Sequence, residues 1–305
     1  MEKVQPLVSV GMPTYNNPKG LERALKLITA QTYANIEIII SDNGSATDET
    51  ELLAKEFQKN DPRIRFFKHT QNGGAVFNFK FVLQNAEGEY FFWAADDDEW
   101  TDNFIEECVK QSKNGSSVFC GYYNKNRVKN ILIPHYPPKL DPGFSKFDNL
   151  KRFLLSMTPS MIYGLHHTNS LKELYLNYEP FDWYDCHLIM NIIVNKGFFT
   201  LPDQFLYTSG IDNETYIPKP FVPKKGRLFH YRPFFFKTHK LIFSQKELSL
   251  KQKLKLMHMV TVFVINAFCQ WEGNYRKFQT GVVHFFLRSY NFTRHLLKSN
   301  KETLV

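Results

Sequence analysis

The sequence predicts an α/β fold: a mostly parallel central sheet flanked by helices, followed by a helical C-terminal extension. Two observations carry that expectation. Over roughly the first hundred residues, short apolar runs alternate with stretches of helical spacing, the pattern of parallel strands joined by crossover helices. The turns after the apolar runs are polar: Thr14-Tyr15-Asn16, Asp42-Asn43-Gly44-Ser45, Asn72-Gly73-Gly74 and Asp96-Asp97-Asp98. In a parallel sheet such turns share the rim outside the strands' carboxyl ends, where ligands bind.

The elements follow in order. "LVSVGMPTYN" is a buried-strand pattern that stops at a Pro and Asn turn. "GLERALKLITAQ" carries Leu21, Ala24, Leu25 and Ile28 at helical spacing. "IEIIISDNGSATDET" reads as strand, turn and helix start, with Asp48 and Glu49 in a first helical turn whose dipole they suit. "RIRFFKHTQNGG" is a third strand with a Gly turn, "VFNFKFVLQNA" a helix, and "EYFFWAA" a fourth strand. "TDNFIEECVKQ" predicts a helix with Thr101 as its N-cap. Beyond residue 116, "VFCGYYNKNRV" and "NILIPHYPP" read as strands, "FDNLKRFLLSM" as a helix, and "YDCHLIMNIIVNKG" as a helix ended by Gly197. "FFTLPDQFLYTSG" predicts two short strands around Pro202. The expected organisation is an α/β domain over 1–215, divided into halves 1–110 and 111–215, a Pro-rich linker or arm over 216–236, and a basic helical region over 237–305.

Composition narrows the class. The chain has 305 residues, 38 basic and 30 acidic, with formal net charge +8, which favours anionic ligands. No nucleic-acid module is recognisable in it. The four cysteines are scattered without a CxxC pair, so neither a zinc site nor a disulfide framework is indicated. With no apolar run of the ~18 residues a membrane span needs, a cytoplasmic protein is expected.

The aspartate triplet poses the central chemical question. Adjacent carboxylates at the end of an aromatic strand repel one another and are costly to desolvate. Either they form a solvated turn, or they hold a hard divalent cation such as Mn²⁺ or Mg²⁺. Asp42 faces a similar choice between turn chemistry and hydrogen bonds to a ribose or base. The His166-His167 pair, at another strand end, fits surface or core packing better than a ligand role.

The stretch from Val8 to Thr50 resembles the opening of inverting family 2 glycosyltransferases of the GT-A fold, probed by several ordered motifs. These are Pro13-Thr14-Tyr15-Asn16, Gln31-Thr32-Tyr33 and Asp42-Asn43-Gly44-Ser45-Ala46-Thr47-Asp48-Glu49-Thr50. Asn72-Gly73-Gly74, Asn78, Ala86-Glu87-Gly88-Glu89-Tyr90 and Asp96-Asp97-Asp98 continue the pattern to about residue 110. The resemblance implies a nucleotide-sugar donor site containing Pro13, Thr14, Tyr15, Asn16, Asp42, Asn43, Asn72, Gly73, Asp96 and Asp97. It further implies Mn²⁺ or Mg²⁺ on Asp98 and Asp96, and Asp185 as catalytic base with Asp182 as its rival. The acceptor it implies is a glycan or a lipid-linked saccharide, of the kind used in bacterial surface-glycan assembly. Two positions depart from the family pattern: Ala95 stands where relatives often carry the first aspartate, and Tyr184 where they carry a glutamate. Those departures keep a non-catalytic nucleotide-sugar or glycan-binding protein as an alternative. A nucleotidyltransferase ranks below it, because "GMPTYNNPKG" is not a phosphate loop. The basic, Phe-rich tail is expected mainly to pack on the catalytic domain, with peripheral contact at the membrane's inner face as its second reading.

Overall fold

The computed structural model describes residues 5–112, 115–177, 179, 181–211 and 231–272. Most of the expected Pro-rich linker, through residue 230, and the tail beyond 272 lie outside them.

The first sheet holds β1 (Val8–Thr14), β2 (Ile36–Asp42), β3 (Ile64–Lys68), β4 (Tyr90–Trp93) and the short β8 (His166–His167), in the order β3-β2-β1-β4-β8. All pairings are parallel except that of β8 with β4. Helices α1 (Pro18–Thr29), α2 (Glu49–Asn60) and α3 (Ala75–Gln84) make the crossovers. The chain steps outward from β1 to β3 and then returns to place β4 on the other side of β1. This reversal opens a crevice beyond the carboxyl ends of β1 and β4.

Local sequence explains these elements. Every residue of β1 and β2 is buried, as expected where helices cover both faces of a sheet. Gly11, midway along β1, leaves room for the Phe91 ring and Val82, which a Cβ would strike at 2.6 and 2.8 Å. Helix α1 begins with Pro18 and is capped by Asn17, whose Oδ1 accepts from the Gly20 N–H at 3.1 Å.

A second sheet has the order β5-β9-β6-β7, from β5 (Glu99–Trp100), β6 (Ser117–Asn126), β7 (Ile131–His135) and β9 (Phe198–Ile211). It corrects two expectations. The residues around Pro202 form one strand of 14 residues, with an irregularity opposite Cys120 to Tyr122. There Leu201 pairs with Cys120 and Phe205 with Gly121, so Pro202 to Gln204 bulge out and the missing proline N–H costs the ladder nothing. Thr101 is not the cap of α4 (Phe104–Gln111), because its N–H still donates to Leu206 of the second sheet. The chain must leave that pairing and turn before the helix can start, and Asn103 takes the cap position.

Helices α5 (Lys146–Ser156), α6 (Thr168–Tyr175) and α7 (Tyr184–Asn195) pack beside these sheets. Cys186 to Val194 of α7 are all buried. Helix α8 (Tyr231–Ser244) takes in the last six residues of the stretch expected as linker, and α9 (Leu250–Glu272) folds back along it. Phe234, Phe235, Ile242, Leu256, Met257, Val260 and Val264 are buried, so the described part of the tail packs on the domain. Among the described residues no helix is long and apolar enough to cross a membrane.

One buried amide fixes the rim of the crevice. Asn78 of α3 donates to the Thr14 carbonyl at 3.2 Å and the Ser41 carbonyl at 3.0 Å, and accepts from the Ser41 hydroxyl at 2.5 Å. It thereby joins the ends of β1 and β2 to the helix above them. Asn78→Leu keeps the volume but leaves buried polar groups unpaired, at about 1–3 kcal/mol each. We expect the variant to unfold at distinctly lower urea concentration; an unchanged midpoint would count against this role.

Candidate active site

The polar turns meet as the sequence suggests. A cavity of about 380 Å³ lies at the ends of β1, β2 and β4, lined by Pro13, Thr14, Tyr15, Asn43, Asn72, Gly74, Ala75, Asn78, Phe79 and Asp96. Asn43 donates to Asn72 Oδ1 at 2.9 Å and the Gly74 carbonyl at 3.2 Å, and accepts from the Gly73 N–H at 2.9 Å. The Asn-Gly-Gly turn is thus held by one buried side chain, and Gly73 serves its shape while Gly74 forms the wall. Asn16, at φ 51°, accepts from Ala46 N–H through its side chain, and its own N–H donates to Ser45 Oγ. It ties the first polar turn to the second. The Tyr15 side chain remains 44% exposed at the mouth.

Asp42 is fully buried. Its Oδ1 accepts from the Ser45 N–H at 3.0 Å and the Ser45 hydroxyl at 2.5 Å, whereas Oδ2 has no protein hydrogen-bond partner. A buried carboxylate oxygen left this way is a strong acceptor for an incoming N–H or O–H.

The three consecutive aspartates have separate fates. Asp96 lines the cavity and accepts from the Thr14 hydroxyl at 2.6 Å. Burial pushes its carboxyl up to about 6, against the hydrogen bonds from Thr14 and Asn17. The Asp97 carbonyl accepts from Arg127 at 2.8 Å. Asp98 turns inward, 2% exposed, with Oδ2 accepting from the Tyr207 hydroxyl at 2.6 Å and Oδ1 from the Gly210 N–H at 3.1 Å. Burial and then the charge of Asp97 push its carboxyl well above the usual range. Asp98, expected on the metal, thus has each of its oxygens hydrogen-bonded to β9. Among the described residues no group of three His, Cys, Asp or Glu side chains is gathered for a metal.

The positive charge that the acidic run called for lies against Glu99. Arg23, Lys125 and Arg127 bridge that carboxylate at 3.7, 3.0 and 2.8 Å. Burial opposes its ionisation, but hydrogen bonds from Arg127 and Lys125 hold it below its usual value. Lys125 and Arg127, with Tyr207 and Gly210, escaped the sequence reading because they reach the acidic run only through the second sheet, while Arg23 reaches it from α1. Gly210 was legible in principle as a strand glycine: a Cβ there would collide with the Asp97 carbonyl and the Arg127 guanidinium.

A second cavity of about 480 Å³ adjoins the first, and Ala75 and Phe79 belong to both walls. Asp185 lies in it, at the first turn of α7, with Oδ1 accepting from the Cys186 N–H at 2.8 Å. Burial raises its carboxyl above the usual value. Trp183, just before the helix, adopts φ 63°, a left-handed conformation costly for a tryptophan. Asp182 is not among the residues lining either cavity. His166 is buried between Ser117 and the Ile162 carbonyl, and burial lowers it to about 4. His167 bonds Ser170. Both histidines are structural, as the sequence favoured.

Asp97 and Asp98 should separate experimentally. Asp98→Ala removes the partner of a buried hydroxyl and a buried N–H, so it should cost about 2–4 kcal/mol in urea unfolding. Tyr207→Phe should cost about 1–3 kcal/mol for the same reason. Asp97→Ala leaves both of those buried bonds in place and should cost less than Asp98→Ala. Equal destabilisation by Asp97→Ala and Asp98→Ala would contradict the division.

The comparisons agree with this arrangement. An uncharacterized glycosyltransferase of Rickettsia typhi is 34% identical over 163 residues, which cover 52% of this chain and 48% of that protein. The chain thus spans about half of that relative's length. An uncharacterized glycosyltransferase of Methanocaldococcus jannaschii is 29% identical over 250 residues, covering 78% and 81%. Among solved structures, S. aureus TarS 1-349 in complex with UDP-GlcNAc aligns with TM-score 0.64 at 16% identity, over 82% of this chain and 70% of that one. The mannosyltransferase PcManGT from Pyrobaculum calidifontis, in complex with GDP-Man and Mn²⁺, gives 0.53 at 17% identity, over 96% and 84%. At such identities the likeness is one of fold, and it bears out the GT-A arrangement. The model of "Glycosyl transferase family 2" matches residues 9–172, more than half of the chain, which sets the nucleotidyltransferase alternative aside. This protein belongs to glycosyl transferase family 2.

Proposed function

We propose that the protein transfers a sugar, with inversion, from a UDP-sugar to a hydroxyl of a glycan or lipid-linked saccharide. The observation that carries this reading is the pair of adjoining cavities, with Asp96 and Asn43, next to the buried Asp42, at one and Asp185 in the other. The complexes of TarS with UDP and UDP-GlcNAc support the donor class.

In this reading the nucleotide lies against Tyr15, and Asp42 Oδ2 accepts from the base or ribose. Thr14, Asn16, Asn43 and the Asn72-Gly73-Gly74 turn shape the donor pocket. Inversion follows from a single displacement, in which the acceptor hydroxyl attacks the anomeric carbon opposite the departing diphosphate. Asp185 removes the hydroxyl proton. Residues 1–110 then supply the donor half and 111–215 most of the acceptor half, although Ala75, Val76 and Phe79 of the first half also line the acceptor cavity.

Mn²⁺ or Mg²⁺ fits the chemistry of the rim, which offers hard carboxylate oxygens at a diphosphate site. Asp96 and Asp97 would hold it, with Asp98 as their buried support. Such an ion supplies charge neutralisation for the leaving diphosphate. PcManGT, whose complex contains Mn²⁺, supports this part of the reading. For membrane contact at the cytoplasmic face, α9 offers the exposed Leu250 and Leu254 beside exposed Lys251 and Lys255.

Three outcomes test the proposal. Asp185→Asn should lower kcat by about 100- to 10,000-fold with donor Kd retained; wild-type turnover would remove Asp185 from the mechanism. Asp185 works only when ionised and its carboxyl is raised, so kcat/KM should be full above that raised value. It should fall as pH drops through it, with the acid limb above the range of an exposed aspartate. Finally, a matching UDP-sugar at 100 times its Kd should stabilise the fold by about 2.7 kcal/mol. That gain should shrink without Mn²⁺ and in Asp97→Ala. No stabilisation by any nucleotide-sugar would reject the donor site.

A further inference from the structure

The walls of the second cavity name the chemistry of the acceptor. Half of its twelve lining residues are aromatic: Phe79, Tyr163, Tyr175, Phe181, Trp183 and Tyr184. Ser160 adds a hydroxyl, and Asp185 is the one charged side chain among the described residues that line it. We propose that this cavity binds an uncharged pyranose, stacked by its C–H face on the aromatic wall, and that it rejects acceptors carrying a phosphate on that sugar. The inference rests on the glycosyltransferase reading and specifies its acceptor.

The argument begins with what each ligand would need. A pyranose has a face of C–H bonds and an edge of hydroxyls. The C–H hydrogens carry partial positive charge and suit the negative face of an aromatic ring. The tyrosine and serine hydroxyls and the Asp185 carboxylate suit the edge. A cavity of about 480 Å³ lies in the range of pockets that enclose small molecules. A phosphate brought here would lose its water and find no cation among the described residues that line the cavity, with the Asp185 carboxylate close by. Lys237 does not offset this, since it lies 5.2 Å from the Phe181 ring centroid and is not part of the wall. An acyl or isoprenoid chain would fill the space, but it would bring hydrocarbon against the Asp185 carboxylate and the polar tips of the wall, which a sugar's hydroxyls would suit better.

The platform is also built rigidly. The Trp183 ring meets Phe263 of α9 edge-on, with centroids 4.8 Å apart at 89°, and Phe263 in turn packs on Phe234 of α8 at 5.9 Å. Tyr184 packs between Tyr175 and Phe181, at 5.5 and 5.4 Å. The left-handed backbone at Trp183 directs the chain into α7 and so sets the ring two residues from Asp185. A flat, braced ring next to the base limits the freedom lost on binding. Tyr184, which departs from the family's glutamate, becomes part of the aromatic wall.

The test uses the full chain and a panel of methyl hexopyranosides with their 6-phosphates. Binding is followed by saturation-transfer NMR, which needs no turnover, and transfer is followed by nucleotide release. Neutral hexosides should bind and accept, while each 6-phosphate should bind at least tenfold more weakly. Trp183→Ala should raise the acceptor KM at least tenfold, and Trp183→Phe should restore most of it, which a folding defect would not do. Ser160→Lys should narrow the gap between each hexoside and its 6-phosphate. Tighter binding of the 6-phosphates by the wild type, or hexoside binding unaffected by Trp183→Ala, would overturn the proposal. Trp183-dependent hexoside binding without turnover of any nucleotide-sugar would instead uphold the cavity assignment and reject the proposed reaction.

Discussion

Asp98 stands 2% exposed between the Tyr207 hydroxyl and the Gly210 N–H, at the junction of the two sheets. A carboxylate so placed must be solvated by the protein itself. The donors come from β9, a strand more than a hundred residues away, so the turn at the end of the first sheet depends on the second sheet for its satisfaction. Glu99 repeats the arrangement one residue on, pairing β5 with β9 while Arg23, Lys125 and Arg127 neutralise its charge. Asp98 and Glu99 are thus anchored to β9 and its basic neighbours, whereas Asp96 turns the other way, accepts from Thr14 and lines the cavity.

The donor rim follows the same economy. Asn78 and Asn43 are both 3% exposed, and each satisfies backbone groups of a neighbouring segment. An asparagine carries two donors and an acceptor, so one buried side chain can join three pieces of chain. Asp42 differs, because Ser45 takes one oxygen and leaves the other without a protein partner. Within one rim the two asparagines build the frame, and Asp42 keeps an acceptor without a protein partner.

How much of this could be read from residues depends on the range of the forces involved. The strands β1, β2 and β4 and their crossover helices were legible because burial on both faces demands continuous apolar runs, and helical faces demand their own period. The turns could be placed on one rim because parallel topology puts them there. Thr14, Asn43, Asn72 and Asp96 consequently line one cavity. Long-range pairing was not legible. Nothing near Asp98 in sequence points to Tyr207 and Gly210, and nothing near Thr101 signals that its N–H is taken by Leu206. Pro202 argued for a break, yet the partner strand tolerates a bulge, and only the register of β6 against β9 decides that. The aromatic wall around Asp185 draws on α3, the turn at Pro159–Tyr163, α6 and the start of α7, so no single window of sequence displays it.

The C-terminal helices join the catalytic fold to this wall. Phe263 of α9 rests against Trp183, and Thr238 of α8 is within hydrogen-bond distance of His187 in α7, at 3.0 Å. His187 is buried and lowered to about 4 by that burial, so it stays neutral and keeps its bond to α8 through ordinary pH. A left-handed residue before a helix persists only where packing over-determines it. Here the packing comes from two directions: α7 is buried along Cys186 to Val194, and α9 presses on the ring of Trp183 itself. The extension is thereby a brace for the segment that presents Asp185. This gives its packed face a reason to exist whether or not its exposed face ever meets a membrane.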